Sequence, residues 1–329
     1  MDIKKIDSNM KESIMLHEGI KWVDLDNEFL RGTAFQNGFV RLGKDHFVSK
    51  QIEVLKKHPS GMNITFRTDA RSIAVKAKLV GPSYMAHMTA VGQVGFDLYE
   101  KKGEQFCFLA TTKINQAAYE VTLAQQKSGS VREYRLYFPL YQQLEEAYLG
   151  LPEEASLEWV KPNQDKIVVY GTSITQGGCA TRPGMSYTNI LDRITDYEWI
   201  NLGFSGSAHL EKEMISILNA IPKKALILEV DANNTLESLK ESLPWFLAHL
   251  TGKPVYLITH FPMFPFTMEL EEKKAFQQTM KNCIVLDGEK LLQDLGYEGT
   301  VDGVHLTDLG FYHLALKLKE IILDKGGQQ

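Results

Sequence analysis

Ser173 and His305 have sequence neighbours that suit nucleophilic catalysis. Ser173 follows the apolar run 167–170, and His305 comes three residues after Asp302. Open α/β folds bind ligands at the carboxyl edge of their sheet, where a serine directly after a strand presents its hydroxyl group. The short spacing lets the Asp302 carboxylate bind one ring nitrogen of His305 while the other nitrogen faces outward as a base. These residues predict a serine hydrolase.

Each of these segments also has a structural explanation. A serine after a strand often caps the next helix, and the Asp-x-x-His spacing occurs by chance, in metal sites and in surface helix caps. Two further segments favour catalysis, because residues 201–206 follow the second apolar run of this half and residues 231–234 follow the third. The four segments are therefore expected at one edge of a sheet.

The half of the chain after residue 165 has the alternating pattern of a parallel α/β domain. Stretches with helical spacing separate its five apolar runs, which are 166–170, 199–202, 225–230, 254–259 and 283–286. Strands that alternate with helices form a parallel sheet, which right-handed crossovers cover on both faces. A last helix is predicted over 311–323.

The first half of the chain has the period of half-buried β-strands. Between residues 22 and 159 apolar and polar residues alternate, as around Met62 and Ile64. Many short strands without an intervening helical period predict an antiparallel β-sandwich. A chain of 329 residues exceeds one hydrophobic core, so we predict a β-sandwich accessory domain over 1–160 and a catalytic domain over 161–329.

The composition is that of a globular protein, with 44% hydrophobic residues, 23% charged residues and a net charge of -5. Lys and Arg form no stripe, so nucleic acid is not an expected partner. No stretch approaches the roughly 18 apolar residues of a membrane span, and the start of the chain lacks an apolar signal region. We therefore expect no membrane partner and a cytoplasmic location.

Cys107, Cys179 and Cys283 include no C-x-x-C pair, which argues against a disulfide framework or a zinc site, and no metal or cofactor is predicted.

The four segments resemble the blocks of the SGNH, or GDSL-like, hydrolases, which supply Ser, Gly, Asn and His in that order. In addition, Gly-Phe-Asp-Leu-Tyr at 95–99 resembles the G-x-D-L-Y signature of a β-sandwich domain found ahead of a subset of these hydrolases. The resemblance implies a flavodoxin-like three-layer catalytic domain behind an antiparallel, jelly-roll-like β-sandwich.

The same resemblance implies roles for single residues. Ser173 is expected to be the nucleophile, His305 the base, and Asp302 the carboxylate that orients the base. The expected oxyanion donors are the backbone N–H groups of Ser173 and Gly206 and the side-chain amide of Asn233.

Three residues depart from the family pattern. Thr172 stands where the name-giving motif has Asp, Asn234 where many members have Asp, and Leu306 where Pro is frequent. None of these departures removes a group that the chemistry uses. They weaken the transfer of a substrate from well-studied lipases.

Contacts with the substrate are predicted from two loops. Arg182, in the Gly-rich loop after the nucleophile, either holds a polar substrate or pairs with a carboxylate that fixes the loop. Phe261 and Met263, in the loop 259–266, either line an acyl pocket or bury against the β-sandwich. Cys179 lies close to the nucleophile in sequence and is expected to be a small packing residue.

Other polar residues near these loops are expected to be structural. His209 and His260 fall near the predicted site, but a lone histidine more often makes structural hydrogen bonds. The Glu-rich stretch 268–274 has the pattern of an exposed helix start, with i,i+4 pairs of opposite charge.

The leading hypothesis is an esterase that removes a small acyl group, with acetyl favoured, from a carbohydrate or another polar alcohol. An acyltransferase would use the same serine, and a glycan-binding protein would carry a silent hydrolase domain. Metal-dependent hydrolysis through Asp302 and His305 is a fourth alternative. It is disfavoured, because no other His or Cys pair has the spacing of metal ligands.

Overall fold

The computed structural model describes residues 6–7, 10–13, 19–126, 129–252, 254–265 and 267–326. Its first half consists mainly of short strands, which are β1 (Ile20–Asp24), β2 (Leu30–Arg31), β3 (Asn63–Thr68), β4 (Ser72–Leu79), β5 (Asp97–Lys102), β6 (Gln105–Thr111), β7 (Ala118–Gln125), β8 (Arg132–Tyr137), β9 (Leu144–Pro152) and β10 (Glu158–Trp159). One sheet has the order β1-β9-β4-β7, and the other has the order β10-β3-β8-β5-β6 with β2 beside β3. The strands pair antiparallel in both sheets.

The two antiparallel sheets share one hydrophobic core. It contains Ile64 and Phe66 from β3 and Ile73 and Val75 from β4, together with apolar residues from most other strands of this half. Successive side chains of a strand point to opposite faces of its sheet, so every second residue enters this core. The antiparallel β-sandwich expected from the sequence is confirmed.

Among the described residues of this half, two short α-helices interrupt the strands, and they correct the prediction of strands alone. They are α1 (Lys50–Leu55) and α2 (Ala90–Val94). Ser49 caps the first helix and Thr89 the second, each with a side-chain oxygen that accepts a backbone N–H. A helix of six or five residues makes fewer than two turns, so its sequence contains no repeated helical period to detect.

The second half alternates strands with helices. Its strands are β11 (Lys166–Gly171), β12 (Glu198–Gly203), β13 (Ala225–Glu229), β14 (Val255–Ile258) and β15 (Ile284–Leu286). Its helices are α3 (Ser173–Gln176), α4 (Tyr187–Ile194), α5 (Lys212–Ala220), α6 (Leu236–His249), α7 (Met268–Gln278), α8 (Gly288–Leu292) and α9 (Asp308–Gly326). Among the described residues, none of the helices has the length and apolar character that crossing a bilayer requires.

The five strands of this half form one parallel sheet in the order β12-β11-β13-β14-β15. Each of the five apolar runs overlaps one of these strands. The chain therefore starts in the second position of the sheet, moves to one edge and then crosses to the other side, as in flavodoxin-like folds. This order confirms the expected fold, and it puts the carboxyl ends of β11, β12 and β13 next to one another.

Both faces of the parallel sheet are buried, which makes this half a three-layer structure. Ile167 and Val169 of β11 enter a core with residues of α4 and α9. The intervening Val168 and Tyr170 enter a second core, on the other face, with residues of α5 and α6. This explains the continuous apolar runs of the sequence, because a strand covered on both faces needs apolar residues at every position.

Segments between the strands of the β-sandwich half reach both of these cores. Leu140 and Tyr141 lie in the first core, and Leu42 and Ile52 lie in the second. The two halves are therefore packed against each other through apolar side chains. The domain boundary between residues 160 and 161 stays a prediction.

Candidate active site

A tight turn joins β11 to the helix that begins at Ser173. Thr172 caps this helix, because its side-chain oxygen accepts the N–H of Ile174 at 3.3 Å. The capping role that the sequence allows for Ser173 therefore belongs to Thr172. The hydroxyl group of Ser173 is left for another partner.

That partner is His305, which approaches Ser173 from 132 positions away in the chain. The distance between Ser173 Oγ and His305 Nε2 is 2.9 Å, and the distance between His305 Nδ1 and Asp302 Oδ2 is 2.8 Å. An ionised carboxylate only accepts hydrogen bonds, so Nδ1–H donates to Asp302 and the Nε2 lone pair accepts the Ser173 hydroxyl. The three predicted residues thus form one hydrogen-bonded series.

The Asp302 carboxylate is held by more than the imidazole. Its Oδ1 atom accepts the backbone N–H of His305 at 2.8 Å and that of Val304 at 3.0 Å. Partial burial raises the pKa of Asp302, but the hydrogen bonds from the His305 side chain and from these two backbone groups outweigh it and bring the pKa below its usual value. Asp302 is therefore ionised at neutral pH and can orient the imidazole.

A buried carboxyl group, Glu229 at the end of β13, lies beneath the turn of the nucleophile. Its Oε2 atom accepts hydrogen bonds from Thr172 Oγ1 at 2.8 Å, Thr172 N at 3.1 Å and Thr175 Oγ1 at 2.9 Å. Burial raises the pKa of Glu229 to about 7, against the opposing effect of these hydrogen bonds. The sequence interpretation missed this residue, although an acidic residue within the run 225–230 is an available signal.

Gly206, an expected oxyanion donor, lies in the turn after β12. Its φ angle is 64°, in the left-handed region where a residue with a Cβ atom is disfavoured. A Cβ atom built on Gly206 would have no described protein atom within 4 Å. The backbone conformation, not crowding by the protein, therefore explains glycine at this position.

Asn233, the other expected oxyanion donor, lies in a single 3₁₀ turn, Asp231–Asn233, that follows β13. Its Nδ2 atom donates a hydrogen bond to the carbonyl oxygen of Ser207 at 2.7 Å. This bond joins the loop after β13 to the loop after β12. An amide group has two N–H bonds, so the second remains for a ligand.

Lys273 supports the Asn233 turn from helix α7. Its Nζ atom donates to the carbonyl oxygens of Asp231 at 2.9 Å and Asn234 at 3.0 Å, and it lies 2.6 Å from Asp231 Oδ1. The Lys273 side chain is only 6% exposed, so the prediction of an exposed face over 268–274 is wrong at this residue. The sequence offers no signal for its burial, since Lys273 stands among other charged residues.

Arg182 binds side chains of the β-sandwich half. Its Nη1 atom lies 2.7 Å from Asp97 Oδ2 and 2.6 Å from Tyr99 Oη, and its guanidinium lies 4.0 Å from the centre of the Phe108 ring. Asp97 and Tyr99 are the Asp and Tyr of the motif at 95–99. The guanidinium thus pairs with a carboxylate, as the structural alternative expects, and a contact between Arg182 and a substrate stays a prediction.

The loop after β14 buries its predicted aromatic residue. Phe261 is 1% exposed and lies in the first core, which also contains residues of the β-sandwich half, so its role in lining an acyl pocket stays a prediction. Met263 is half-buried, and its role in substrate binding stays a prediction. Phe264 N donates to the carbonyl oxygen of Gly303 at 2.9 Å, which places this loop beside that of His305. Phe266 lies outside the described residues.

The β-sandwich half contributes His87 to the site, which the sequence interpretation missed. Its ring centre lies 5.7 Å from that of His305, and its side chain is exposed. Cys179 is buried near the same imidazole, and burial raises the pKa of its thiol to about 12, with a smaller contribution from the Asp302 charge. Such a thiol is not a nucleophile at neutral pH, in keeping with the expected packing role.

Among the described residues, two groups of side chains could hold a metal ion. In the first, donor atoms within 4.8 Å of one another come from His87, Cys179, Asp302 and His305. In the second, they come from His260, Glu271 and Glu289. The spacing of His and Cys in the sequence does not reveal these groups, because the fold brings together residues that lie far apart in the chain.

The comparisons with known proteins agree with this geometry. Residues 20–157 match the GxDLY family, described as the N-terminus of SGNH-hydrolase-type esterases, and residues 164–263 match the GDSL-like lipase/acylhydrolase family. No curated protein gave a significant match.

Solved structures cover almost the whole chain. A protein described as a GDSL-like lipase from Bacteroides ovatus ATCC 8483 is 28% identical, with a TM-score of 0.84 and coverage of 92% of this chain and 97% of that one. The salicylyl-acyltransferase SsfX3 of a tetracycline biosynthetic pathway is 17% identical, with a TM-score of 0.73 and coverage of 94% and 99%. A family two carbohydrate esterase from Clostridium thermocellum is 14% identical, with a TM-score of 0.57 and coverage of 82% and 93%. The last two show only the shared fold. The two family matches show that the chain belongs to the GDSL-like, or SGNH, hydrolases that carry an N-terminal GxDLY domain.

Proposed function

We propose that this protein is a serine esterase that removes a small acyl group, with acetyl favoured, from a carbohydrate or another polar alcohol. The observation that carries the proposal is the series of hydrogen bonds at 2.9 and 2.8 Å that joins Ser173 to His305 and His305 to Asp302. A nucleophile, a base and a group that orients the base are the parts that acyl transfer needs.

The first step forms an acyl-enzyme. Ser173 Oγ attacks the ester carbonyl carbon while its proton passes to His305 Nε2, 2.9 Å away. The ionised Asp302 stabilises the imidazolium ion that results. The C–O bond to the alcohol then breaks, and His305 returns the proton to the leaving oxygen.

The second step releases the acid. Water takes the place of the alcohol, gives its proton to His305 and attacks the acyl carbon. The bond between that carbon and Ser173 Oγ then breaks, and His305 returns the proton to Ser173. In both steps the carbonyl oxygen becomes negative. The N–H groups of Ser173, Gly206 and Asn233 are the proposed donors to that oxygen, and Asn233 is held for this role by its bond to Ser207.

A tight wall next to the base supports a small acyl group. A Cβ atom on Gly178 would lie 2.9 Å from Tyr141 Oη and 3.1 Å from His305 Cδ2, so the loop after the nucleophile packs closely against the imidazole. The carbohydrate part of the proposal draws on the fold shared with the carbohydrate esterase from Clostridium thermocellum. This is an analogy of fold, and the substrate itself must come from experiment.

The nucleophile can be tested without knowledge of the substrate. A fluorophosphonate probe should add its mass to the intact wild-type protein and not to Ser173→Ala. Ser205→Ala, which removes a serine from the neighbouring loop, is the matched control and should be labelled like the wild type. Labelling of Ser173→Ala would contradict the assignment. A series of p-nitrophenyl esters from acetyl to octanoyl then tests the size of the acyl group, with the highest kcat/KM expected for acetyl.

Transfer of the acyl group to an alcohol is the second candidate. The salicylyl-acyltransferase SsfX3 shares the fold of both halves of this chain, since the match covers 94% of this chain and 99% of that one. Both reactions use the same acyl-enzyme, so the products decide between them. Product analysis with added acceptor alcohols should show the free acid as the main product if the protein is an esterase. A glycan-binding protein with a silent hydrolase domain would show no turnover of p-nitrophenyl acetate. The cytoplasmic location stays a prediction.

A further inference from the structure

Four potential metal ligands meet beside the nucleophile, and they come from three separate segments of the chain. The donor atoms of His87, Cys179, Asp302 and His305 all lie within 4.8 Å of one another. Two imidazoles, a thiol and a carboxylate are a ligand set that suits zinc, which binds nitrogen and sulfur at about 2.0–2.3 Å in tetrahedral geometry. Such a site needs donor atoms about 3–4 Å apart, so the four groups must approach by about 1 Å.

The backbone around Cys179 points to a function for its position. Cys179 has a φ angle of 71°, although it carries a Cβ atom, and it is 5% exposed. A non-glycine residue in the left-handed region is strained and occurs preferentially at functional sites. The strained turn directs the thiol toward His305 and Asp302. Positions 177 and 178 are glycines, whereas position 179 keeps a cysteine although a glycine there would relieve the strain.

His87 lies on a loop whose backbone is held by hydrogen bonds, whereas its own side chain is exposed. The fully buried Gln93 donates to the carbonyl oxygens of Met85 at 3.1 Å and Met88 at 2.7 Å, and its Oε1 atom accepts the N–H groups of Tyr84 and Met85. These bonds set the path of the loop on both sides of His87. The exposed imidazole can therefore turn toward an ion without a change in the backbone.

We propose that His87, Cys179 and His305, with Asp302 as the fourth ligand, bind a zinc ion that inhibits the enzyme. Zinc loses bound water as the four groups enter, and the Cys179 thiol releases its proton to solvent. Both ring nitrogens of His305 are already in use, one at 2.9 Å from Ser173 and one at 2.8 Å from Asp302. A metal bond to either nitrogen removes one of these contacts. The inhibitory effect rests on the proposed function, whereas the binding of the ion does not.

Cobalt tests the binding by itself, because a cobalt ion bound to a thiolate has a charge-transfer absorption band that a free ion lacks. Titration of the whole protein with cobalt should produce this band. Cys179→Ser should abolish it, and His87→Ala and His305→Ala should each weaken the affinity by about 10- to 100-fold or more, the range known for the loss of metal-site interactions. Cys107→Ser, which removes a thiol of the β-sandwich, should bind like the wild type.

Zinc then tests the effect on catalysis. Zinc should inhibit the hydrolysis of p-nitrophenyl acetate, and a chelator should restore it. His87→Ala should require at least about tenfold more zinc than the wild type for half inhibition, with each protein's activity in zinc expressed relative to its own activity without metal. The site is refuted if the wild type shows no thiolate band with cobalt, if His305→Ala binds cobalt as tightly as the wild type, or if zinc raises the activity. A protein that fails to hydrolyse esters but loses cobalt affinity in His305→Ala would refute the esterase and retain the metal site.

Discussion

The Arg182 guanidinium lies 2.7 Å from the Asp97 carboxylate, and this ion pair joins the loop after the nucleophile to the β-sandwich. The Asp97 side chain is fully buried, and the same carboxylate accepts the N–H of Gly184 at 2.8 Å. Removal of one partner of a buried pair leaves the other charge without compensation. We therefore expect Arg182→Met to lower the free energy of unfolding by about 3–5 kcal/mol, measured by urea denaturation.

The ion pairs of Arg67 provide the control for this substitution. Arg67 contacts Glu133 and Glu158 at the surface, where its side chain is 42% exposed, so Arg67→Met should cost less than about 1 kcal/mol. The double variant Asp97→Asn/Arg182→Met should be less destabilised than the sum of the two single variants. If Arg182→Met unfolds as easily as Arg67→Met, the ion pair does not hold the halves together.

Asn233→Ala tests the proposed oxyanion site. The loss of one donor to a developing oxyanion typically lowers kcat by ~10²–10³-fold and leaves KM little changed, since the contact strengthens only in the transition state. Steady-state kinetics with p-nitrophenyl acetate measures both constants. Asn219→Ala is the control, because Asn219 also donates its side-chain amide to a carbonyl oxygen, that of His249 at 2.9 Å, in a part of the fold away from Ser173. A loss under about twofold in Asn233→Ala would remove Asn233 from the site.

Lys273 is expected to act as a positioning residue for Asn233. Without its bonds to the carbonyl oxygens of Asp231 and Asn234, the turn that carries the donor shifts, and kcat should fall by about 10- to 10²-fold with little change in KM. Lys273→Met leaves Asp231 buried and unpaired, so the kinetics should be repeated in Asp231→Asn/Lys273→Met, which removes that charge. Lys274→Met is the neighbouring control and should keep the wild-type kcat. A loss of stability without a change in kcat would reduce Lys273 to a structural role.

Glu229 should make the stability of the protein depend on pH. Its pKa is about 7 in the folded protein against a usual value of 4.5, so the folded state holds the proton more tightly. The stabilisation is fully present below pH 4.5 and is lost as the pH rises to about 7, in total about 3 kcal/mol. Glu229→Gln has no proton to lose. Its free energy of unfolding relative to the wild type should therefore rise by about 2–3 kcal/mol between pH 5 and pH 8.

Urea denaturation at the two pH values measures this difference. Glu104→Gln, which removes a carboxylate that is 97% exposed, is the control for the change in net charge. If the free energies of unfolding of Glu229→Gln and Glu104→Gln change by the same amount between the two pH values, Glu229 is not the group whose proton makes stability depend on pH.

The sequence alone determines most of the architecture and the three residues of the triad. Continuous apolar runs indicate strands that are buried on both faces of the sheet. Alternating apolar and polar residues indicate strands that are buried on one face, because polar side chains are placed on the face that contacts water. Helices α1 and α2 cannot be predicted from such patterns, since they are shorter than two helical periods. The pair Asp302 and His305 is local, so its spacing alone indicates that the two side chains can meet.

The tertiary structure alone decides what surrounds the triad. Lys273 and Glu229 are charged residues whose burial depends on partners far away in the chain, and the carboxylate that pairs with Arg182, that of Asp97, comes from 85 positions away. His87 reaches His305 from the other half of the molecule. A residue type and its spacing limit what a side chain can do, but burial and long-range contacts select among those possibilities, and both arise only when distant segments pack together.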